Sequence, residues 1–326
     1  MTSHSCAPSN PALRRTLALS VRAAAALLCA GGLPLRARAE ARAVAIAVVF
    51  PDIGEPFRKV FTDIIGGIED EAHGRVHGFP VSASQDPAEL AAAVRRAGAR
   101  VVVALGRQGL RAAAGVELPV VVSGVSSVPD GERQTGICLT PDPALLFGQL
   151  KALAPQVRRV LVVYNPQHNE WLLRLARDAA RAAGLELNAM EARDLASAAR
   201  LYENAFAGMD GKREALWLPI DPTTVDEATI LPIVLREAWN RSVAVFSSSF
   251  LHVKRGALFA LYPNNVELGR NLGSLATGIL AGEAPPRGVS PLRDVYSALN
   301  LRTASHIGLS ISPRVQRSFT SLYPEP

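Results

Sequence analysis

Short apolar runs alternate with helical segments along most of the chain. Val44–Phe50 is an unbroken apolar run, and it is followed by a loop, Pro51–Glu55, and then by a helical segment. The same order of strand, loop and helix continues as far as Arg255. Strands without polar positions are typical of parallel sheets covered on both faces, and the helices between them give right-handed crossovers. The alternation therefore predicts an α/β fold with parallel sheets.

The strands fall into two series. The first series runs from Val44 to a short strand at Gly136–Thr140, and the second begins at Arg159–Tyr164. Each series is long enough for a doubly wound sheet, so we predict two lobes joined by a hinge of several segments. The predicted lobes are residues 40–138 with 256–285, and residues 139–255 with 286–326.

The segment 256–309 is predicted to pass between the lobes. It begins with a short apolar strand, Leu258–Leu261. Asn264 can then cap a helix, and Glu267 stands three residues later in the capping-box position. A further strand is predicted at Tyr296–Leu299. A helix that is flanked by strands and extended connections, late in the chain, fits a hinge passage.

The first 39 residues have the pattern of an export signal. Arg14 and Arg15 lie in a basic region, Ala23–Leu35 forms an apolar core, and Ala37–Ala39 has the small-residue pattern of a cleavage site. The alternative is a membrane anchor, but a spanning helix needs about 20 apolar residues, and this core is shorter. We therefore expect cleavage after the signal and a periplasmic product that does not span the membrane.

The positive net charge of the chain comes mostly from this signal. The chain holds 35 lysines and arginines and 29 acids, for a net charge of +6. Five of the arginines and none of the acids lie in the first 39 residues, so the remainder has 30 basic against 29 acidic residues. A nucleic-acid partner is therefore not expected. Cys138 is the one cysteine left after cleavage, and we expect it to pack as a small buried hydrophobe.

Catalytic and metal-binding patterns are weak. Serines 247–249 follow a predicted strand, and His252 and His306 are present, but no G-x-S-x-G elbow occurs. His73 and His77 stand four residues apart without an evident third ligand. No glycine-rich phosphate loop is found. We therefore predict no enzymatic activity, no metal and no cofactor, with a serine hydrolase as the rival hypothesis.

Ligands of parallel sheets bind outside the carboxyl ends of the strands, so the loops that follow the strands supply the candidate site. Hydroxyl groups and helix N-termini there suit a ligand carboxylate, Asp221 suits an ammonium, and Tyr164 or Tyr262 can cover an apolar part. The alternative is that many of these residues only cap helices or form turns. The predicted ligand-binding residues are Pro51, Gly106, Arg107, Ser123, Ser127, Tyr164, Asn165, Asp221, Thr223, Ser248 and Tyr262.

Several motifs, in this order and spacing, resemble one group of ABC-transporter substrate-binding proteins. They are PVVVSGVSS at 119–127, PQVRRVLVVYNPQHN at 155–169, ALWLPIDPTTV at 215–225, ELGR at 267–270, ILAGEAPP at 279–286, NL at 300–301 and A-x-x-IGLSI at 304–311. That group includes binders of tryptophan and tyrosine. Ser127–Val128 stands where the family commonly has Asp-Pro, and Pro263–Asn265 replaces a more usual aspartate-containing turn.

The resemblance implies a periplasmic-binding-protein fold of type I that closes over its ligand by hinge motion. It also implies capture of a small polar molecule, such as an amino acid or a related compound, for an ABC permease and ATPase on other chains. The two departures lie near the expected cleft, so the ligand need not be typical of the family. The alternative is a sensory module that presents ligand occupancy to a membrane receptor or histidine kinase.

Overall fold

A computed structural model describes residues 45–55, 57–127 and 134–324. The predicted export signal and its cleavage site lie outside the described residues. Within them, no helix has the length and the apolar character needed to cross a membrane.

The first sheet has six strands, all parallel, in the order β11-β5-β4-β3-β1-β2. Valine-rich strands at its centre are buried on both faces; in the third strand every residue is buried. The strands are β1 (Ile46–Pro51), β2 (Val76–Val81), β3 (Val101–Leu105), β4 (Val120–Ser123), β5 (Thr135–Pro141) and β11 (Gly288–Leu292).

The second sheet has seven strands in the order β13-β12-β10-β9-β8-β6-β7. Five of them run parallel, while β12 is antiparallel to β10 and parallel to β13. They are β6 (Arg159–Tyr164), β7 (Glu186–Glu191), β8 (Glu214–Leu218), β9 (Ala244–Ser247), β10 (Phe259–Pro263), β12 (Val295–Asn300) and β13 (Ser321–Tyr323).

Helices cover both sheets. Those of the first sheet are α1 (Phe57–Ala72), α2 (Pro87–Arg96), α3 (Gly106–Ala113) and α9 (Asn265–Leu280). Those of the second are α4 (Pro143–Leu153), α5 (Pro166–Ala182), α6 (Leu195–Ala207), α7 (Ile230–Asn240), α8 (Phe250–Arg255), α10 (Leu301–His306) and α11 (Pro313–Gln316). The predicted α/β fold with two sheets dominated by parallel strands is thus confirmed.

Each sheet has its own apolar core. In the second, Phe246 stacks on Trp217 and on Phe259, with ring centroids 6.5 and 5.2 Å apart, and Phe147 meets Trp217 edge-on at 5.6 Å. In the first, Cys138 lies in β5 with 1% of its surface exposed. Burial raises the pKa of its thiol to about 11, so it packs there as a neutral hydrophobe.

Helix starts follow a repeated pattern in which a short polar side chain precedes a proline. Asp86, Asp142 and Asn165 each accept a hydrogen bond from a backbone N–H of the first turn, at 2.8 to 2.9 Å. The proline at the next position has no N–H to lose and favours the helical φ angle. The sequence predicts a loop at Asn165–Asn169 and a helix from Glu170, but α5 begins four residues earlier because Asn165 and Pro166 act in this way. The sequence also predicts loops at Gly106–Gln108 and Ser248–Arg255, and both are largely helical in the structure.

The division into sheets differs in two places from the predicted division into lobes. β10 belongs to the second sheet, because it pairs with β9 and β12. β11 belongs to the first sheet, because it pairs with β5. The chain therefore leaves the first sheet after Pro141, returns after Pro263 and leaves again before Val295.

The three crossing segments are hydrogen-bonded to one another. Asp142 caps α4 and also pairs with Arg293, whose Nη1 lies 2.7 Å from Oδ2 of the aspartate. The N–H of Asn264 donates to the carbonyl of Asp294 at 3.2 Å, and Asn271 donates to the side chain of Asp294 at 2.7 Å. The connection between the sheets is therefore a joint of three linked segments.

In the first lobe, α1 and α9 pack with their backbones in close contact at glycines. A Cβ atom at Gly67 would lie 2.1 Å from the carbonyl oxygen of Val266, and one at Gly269 would lie 2.1 Å from that of Ile64. Real Cβ atoms do not approach backbone oxygens this closely, so the helix pair requires glycine at these positions.

Gly67→Ala should therefore lower the free energy of unfolding by about 2 kcal/mol or more, since the two helices must move apart. Gly66→Ala is the matched control, because nothing lies within 4 Å of the added Cβ, and alanine favours a helix by up to about 1 kcal/mol. Urea titration of both variants measures the difference. Equal stabilities would contradict the close packing.

Candidate ligand-binding cleft

A cleft of about 750 Å³ opens where the carboxyl ends of the two sheets face each other. This volume lies in the range of small-molecule sites. The first lobe contributes Arg107, Ser126 and Ser127. The second lobe contributes His168, Asn169, Pro219, Ile220, Asp221, Pro222, Val225, Asp226, Glu227, Ser248, Ser249, Phe250 and His252, and Tyr262 and Pro263 come from the end of β10.

Two glycines shape the wall of the first lobe. Gly106 (φ 69°) begins α3 directly after β3, and Gly124 (φ 72°) follows β4. A Cβ at Gly124 would lie 2.8 Å from the backbone nitrogen of Gly106, and one at Gly106 would lie 3.1 Å from the ring of Phe61. These strand ends therefore approach closely only because both residues lack side chains. Their approach places Arg107 at the cleft.

Arg107 is exposed in the cleft. Among the described residues, no hydrogen bond or ion pair to its guanidinium is found. It therefore presents a positive charge whose donors are available to a ligand.

The wall of the second lobe is held by Asp221, which is 3% exposed. One of its oxygens accepts hydrogen bonds from the backbone of Asn165 at 2.7 Å and from the side chain of Asn169 at 3.0 Å. The other accepts from the backbone N–H groups of Thr223 and Thr224 at 3.0 and 3.2 Å. The four donors occupy the acceptor positions of both carboxylate oxygens. These bonds therefore favour a structural role for Asp221 over the predicted contact with a ligand ammonium.

Asn165 and Thr223 belong to the same network. The amide of Asn165 donates to the hydroxyl of Thr223 at 3.2 Å, while its oxygen caps α5. The network ties the connection after β6 to the connection after β8. Its members form the support of the cleft wall rather than its surface, except for Asp221 and Asn169.

The hydroxyl of Ser248, unlike that of Ser247, has no hydrogen-bond partner among the described residues. The side chain is 3% exposed and lines the cleft. An unpaired buried hydroxyl costs about 1–3 kcal/mol, which a ligand hydrogen bond would recover. Ser248 is therefore the second group that is free for a ligand, on the wall opposite Arg107.

Ser247 and His252 form a buried pair that the sequence analysis missed. The hydroxyl of Ser247 accepts from the N–H of Ser249 at 3.1 Å and lies 2.7 Å from Nδ1 of His252. The other ring nitrogen of His252, Nε2, lies 3.9 Å from a carboxylate oxygen of Glu227. Burial, with a smaller effect of the Arg255 charge, lowers the pKa of His252 to about 4, so the ring is neutral near pH 7.

Serine, histidine and carboxylate therefore come together here without a G-x-S-x-G elbow. Ser247 is 1% exposed, however, and is not part of the cleft surface. A nucleophile must reach its substrate, so the pair is better described as a support for Ser248 and the start of α8. The sequence marks this pair only by its spacing, since Ser247 ends a predicted strand and His252 follows it by five residues.

Aromatic rings form one side of the cleft. The ring centroid of Tyr262 lies 5.3 Å from that of Phe250 and 5.7 Å from that of Tyr296. The hydroxyl of Tyr262 is 3.4 Å from that of Ser321. Phe250 and Tyr262 line the cleft and offer a planar, apolar surface.

The acids of the cleft are already engaged. Asp226 accepts from the N–H of Thr229 at 2.6 Å, and this hydrogen bond is the main cause that lowers the pKa of its carboxyl. Glu227 lies 3.5 Å from Nη1 of Arg255. Asp226 and Glu227 therefore have partners within the lobe.

Five of the predicted ligand-binding residues line the cleft: Arg107, Ser127, Asp221, Ser248 and Tyr262. Pro51, Gly106, Ser123, Tyr164, Asn165 and Thr223 are not among its lining residues.

Ser123 is fully buried and donates to the carbonyl of Ile137 at 2.5 Å. Tyr164 is 1% exposed, and its hydroxyl is within 3.0 Å of Glu170 and 3.2 Å of Glu191. Burial, followed by these carboxylates, raises its pKa to about 12.

Asp221→Ala should lower the free energy of unfolding by about 3 kcal/mol, because four donors in a buried network lose their acceptor. Asp226→Ala is the control, since it removes one helix-start hydrogen bond and should cost only about 1 kcal/mol. Chemical unfolding of the empty protein measures both. If Asp221→Ala were as stable as the parent, its carboxylate would not support the wall.

The sequence profile of the family described as ABC transporter substrate binding protein matches residues 64–321. The chain belongs to this family. The resemblance drawn from the sequence motifs is thereby confirmed, and the protein is a solute-binding protein by family. None of the curated proteins compared with this substrate-binding protein matches it.

Solved structures of similar fold include three bacterial proteins. A substrate-binding protein with adhesive properties from Clostridium difficile, in its ligand-free, open form, is 18% identical with a TM-score of 0.63, over 87% of this chain and 100% of that one. A conserved domain protein from Vibrio cholerae is 20% identical with a TM-score of 0.55, over 86% and 99%. An ABC domain from Streptococcus pneumoniae in complex with L-Trp is 20% identical with a TM-score of 0.54, over 85% and 99%.

Proposed function

We propose that this substrate-binding protein captures, outside the cytoplasmic membrane, a small solute that carries a carboxylate and an apolar or aromatic part, and that it delivers this solute to an ABC permease and ATPase. The observation that carries the proposal is the pair of unpartnered groups on opposite walls of the cleft, the guanidinium of Arg107 and the hydroxyl of Ser248.

The anionic part of the ligand is assigned to Arg107. The carboxylates of the cleft have partners in their own lobe, whereas this guanidinium has none among the described residues. A planar guanidinium binds a carboxylate through two parallel hydrogen bonds, which gives both affinity and orientation. The nearby hydroxyls of Ser126 and Ser127 add neutral hydrogen-bonding groups on the same wall.

The apolar part is assigned to the rings of Phe250 and Tyr262, beside Ser248. Aromatic rings stack on planar groups and cover aliphatic ones, and Ser248 can fix the orientation through one hydrogen bond. The L-tryptophan of the pneumococcal complex combines a carboxylate and an aromatic ring in the same way. Amino acids with apolar or aromatic side chains are therefore the first ligands to test.

A ligand held by both walls would drive the proposed closure. Arg107 lies on the first lobe and Ser248 on the second, and the two lobes meet at a joint of linked segments. A ligand that contacts both groups only when the lobes are close shifts the open–closed equilibrium by its extra affinity for the closed state.

The test uses protein unfolded and refolded to remove bound solutes, with a panel of L-amino acids and matching monocarboxylic acids as probes. A shift in melting temperature identifies a ligand, and calorimetry gives its affinity. Arg107→Ala should weaken binding about ten- to a hundredfold, since a hydrogen bond between charged groups is lost.

Arg111→Ala is the matched control, because this arginine lies one turn further along α3 and is not part of the cleft. It should leave the affinity unchanged, and Ser248→Ala should weaken binding without lowering the stability of the empty protein. Equal affinities of the parent and Arg107→Ala would contradict the assignment.

A further inference from the structure

A second hollow lies on the outer side of the second lobe. It has a volume of about 670 Å³ and runs between α7, α8, α10 and the end of β13. We call it the basic groove. Its lining residues are Glu227, Pro232, Leu235, Arg236, Trp239, Lys254, Arg255, Gly256, Asn300, Arg302, Thr303 and Tyr323.

The basic groove concentrates positive charge, although residues 40–326 together hold 30 basic and 29 acidic residues. Four of its lining residues are cations, Arg236, Lys254, Arg255 and Arg302, and Glu227 is its one acid. Since these cations come from three different helices, their charges converge on one hollow rather than spreading along one helix face. Such a field attracts anions.

Two of the four cations lack a carboxylate partner among the described residues. Arg302 lies over the ring of Trp239, 5.5 Å from its centroid, and Lys254 lies over Phe250 at 4.8 Å. Arg255 is paired with Glu227 at 3.5 Å. The cation–π contacts fix the position of the two free cations without neutralising them.

The floor of the basic groove is rigid. Asn300 is 3% exposed, donates to the carbonyl of Val253 at 2.9 Å and accepts from the N–H of Thr303 at 2.9 Å. The hydroxyl of Thr303 donates to the carbonyl of Gly256 at 3.0 Å. Nothing lies within 4 Å of the position of a Cβ at Gly256, so the backbone there is open to an incoming group. A ligand would meet a preformed surface.

We propose that the basic groove binds a phosphate-type oxyanion, with Arg302 and Lys254 as its main partners. A guanidinium fork matches the oxygens of a phosphate, and an ammonium adds a second charge. The phosphate is either free in solution or part of a lipid headgroup, and both share this chemistry. The proposal does not depend on the ligand of the cleft. The two hollows share one lining residue, Glu227, and Lys254 of the groove lies over Phe250 of the cleft.

The test is calorimetric titration with inorganic phosphate, against chloride at equal ionic strength. A second arm measures sedimentation with phosphatidylglycerol vesicles and with neutral phosphatidylcholine vesicles. Arg302→Gln and, separately, Lys254→Gln should each weaken binding about tenfold, the change expected for one lost hydrogen bond to a charged group. Arg314→Gln is the control, because it removes one exposed charge of the same lobe outside the groove.

Phosphate binding that falls in both groove variants and persists in Arg314→Gln supports a site for free phosphate. Binding to phosphatidylglycerol vesicles alone, with the same response to the variants, supports a lipid headgroup as the source. If neither probe binds, or if the groove variants bind as well as the control, the proposal is wrong. Arg302→Gln should keep the ligand affinity of the cleft, because Arg302 lies over Trp239, which is not part of the cleft, so its result is independent of the proposed solute-binding function.

Discussion

The arrangement of the two sheets depends on the hydrogen-bonded joint that connects them. Three segments cross there, and Asp142, Arg293, Asp294 and Asn271 link them by side-chain bonds of 2.7 Å. Because every crossing lies at one place, the carboxyl ends of both sheets point toward the same space. The cleft is thus a consequence of the connectivity, and the proposed closure changes the separation of its walls while each sheet stays intact.

Each wall of the cleft is stabilised by a different kind of contact. Backbone proximity at Gly106 and Gly124 shapes the first, and the carboxylate of Asp221 gathers four donors in the second. The Asp221 carboxylate thereby satisfies both of its own oxygens and four donors of the second wall. Arg107, Ser248 and Nδ1 of His168 have no partner among the described residues, and that difference separates groups that support the site from groups that are free to bind a ligand.

Much of the fold could be predicted from sequence, because buried parallel strands such as Val101–Leu105 are continuous apolar runs and helix starts such as Asp86 carry a cap and a proline. The loops that border the cleft could also be predicted, since they follow strand ends. The direction in which individual side chains point could not be predicted. Tyr164 is the last residue of β6, and its side chain lies in the core. The carboxylate of Asp221 accepts a hydrogen bond from the backbone N–H of Asn165, which stands 56 positions earlier in the chain. Such long-range partners leave no local pattern in the sequence.

The central claim is that one ligand bridges the two lobes through the cleft. Small-angle X-ray scattering of the protein with and without an identified ligand tests it most directly, because bridging must bring the lobes together. The account predicts a smaller radius of gyration with ligand in the parent protein, and no such decrease in Arg107→Ala at a ligand concentration that saturates the parent but not the variant. An unchanged radius in the fully occupied parent protein would contradict the account.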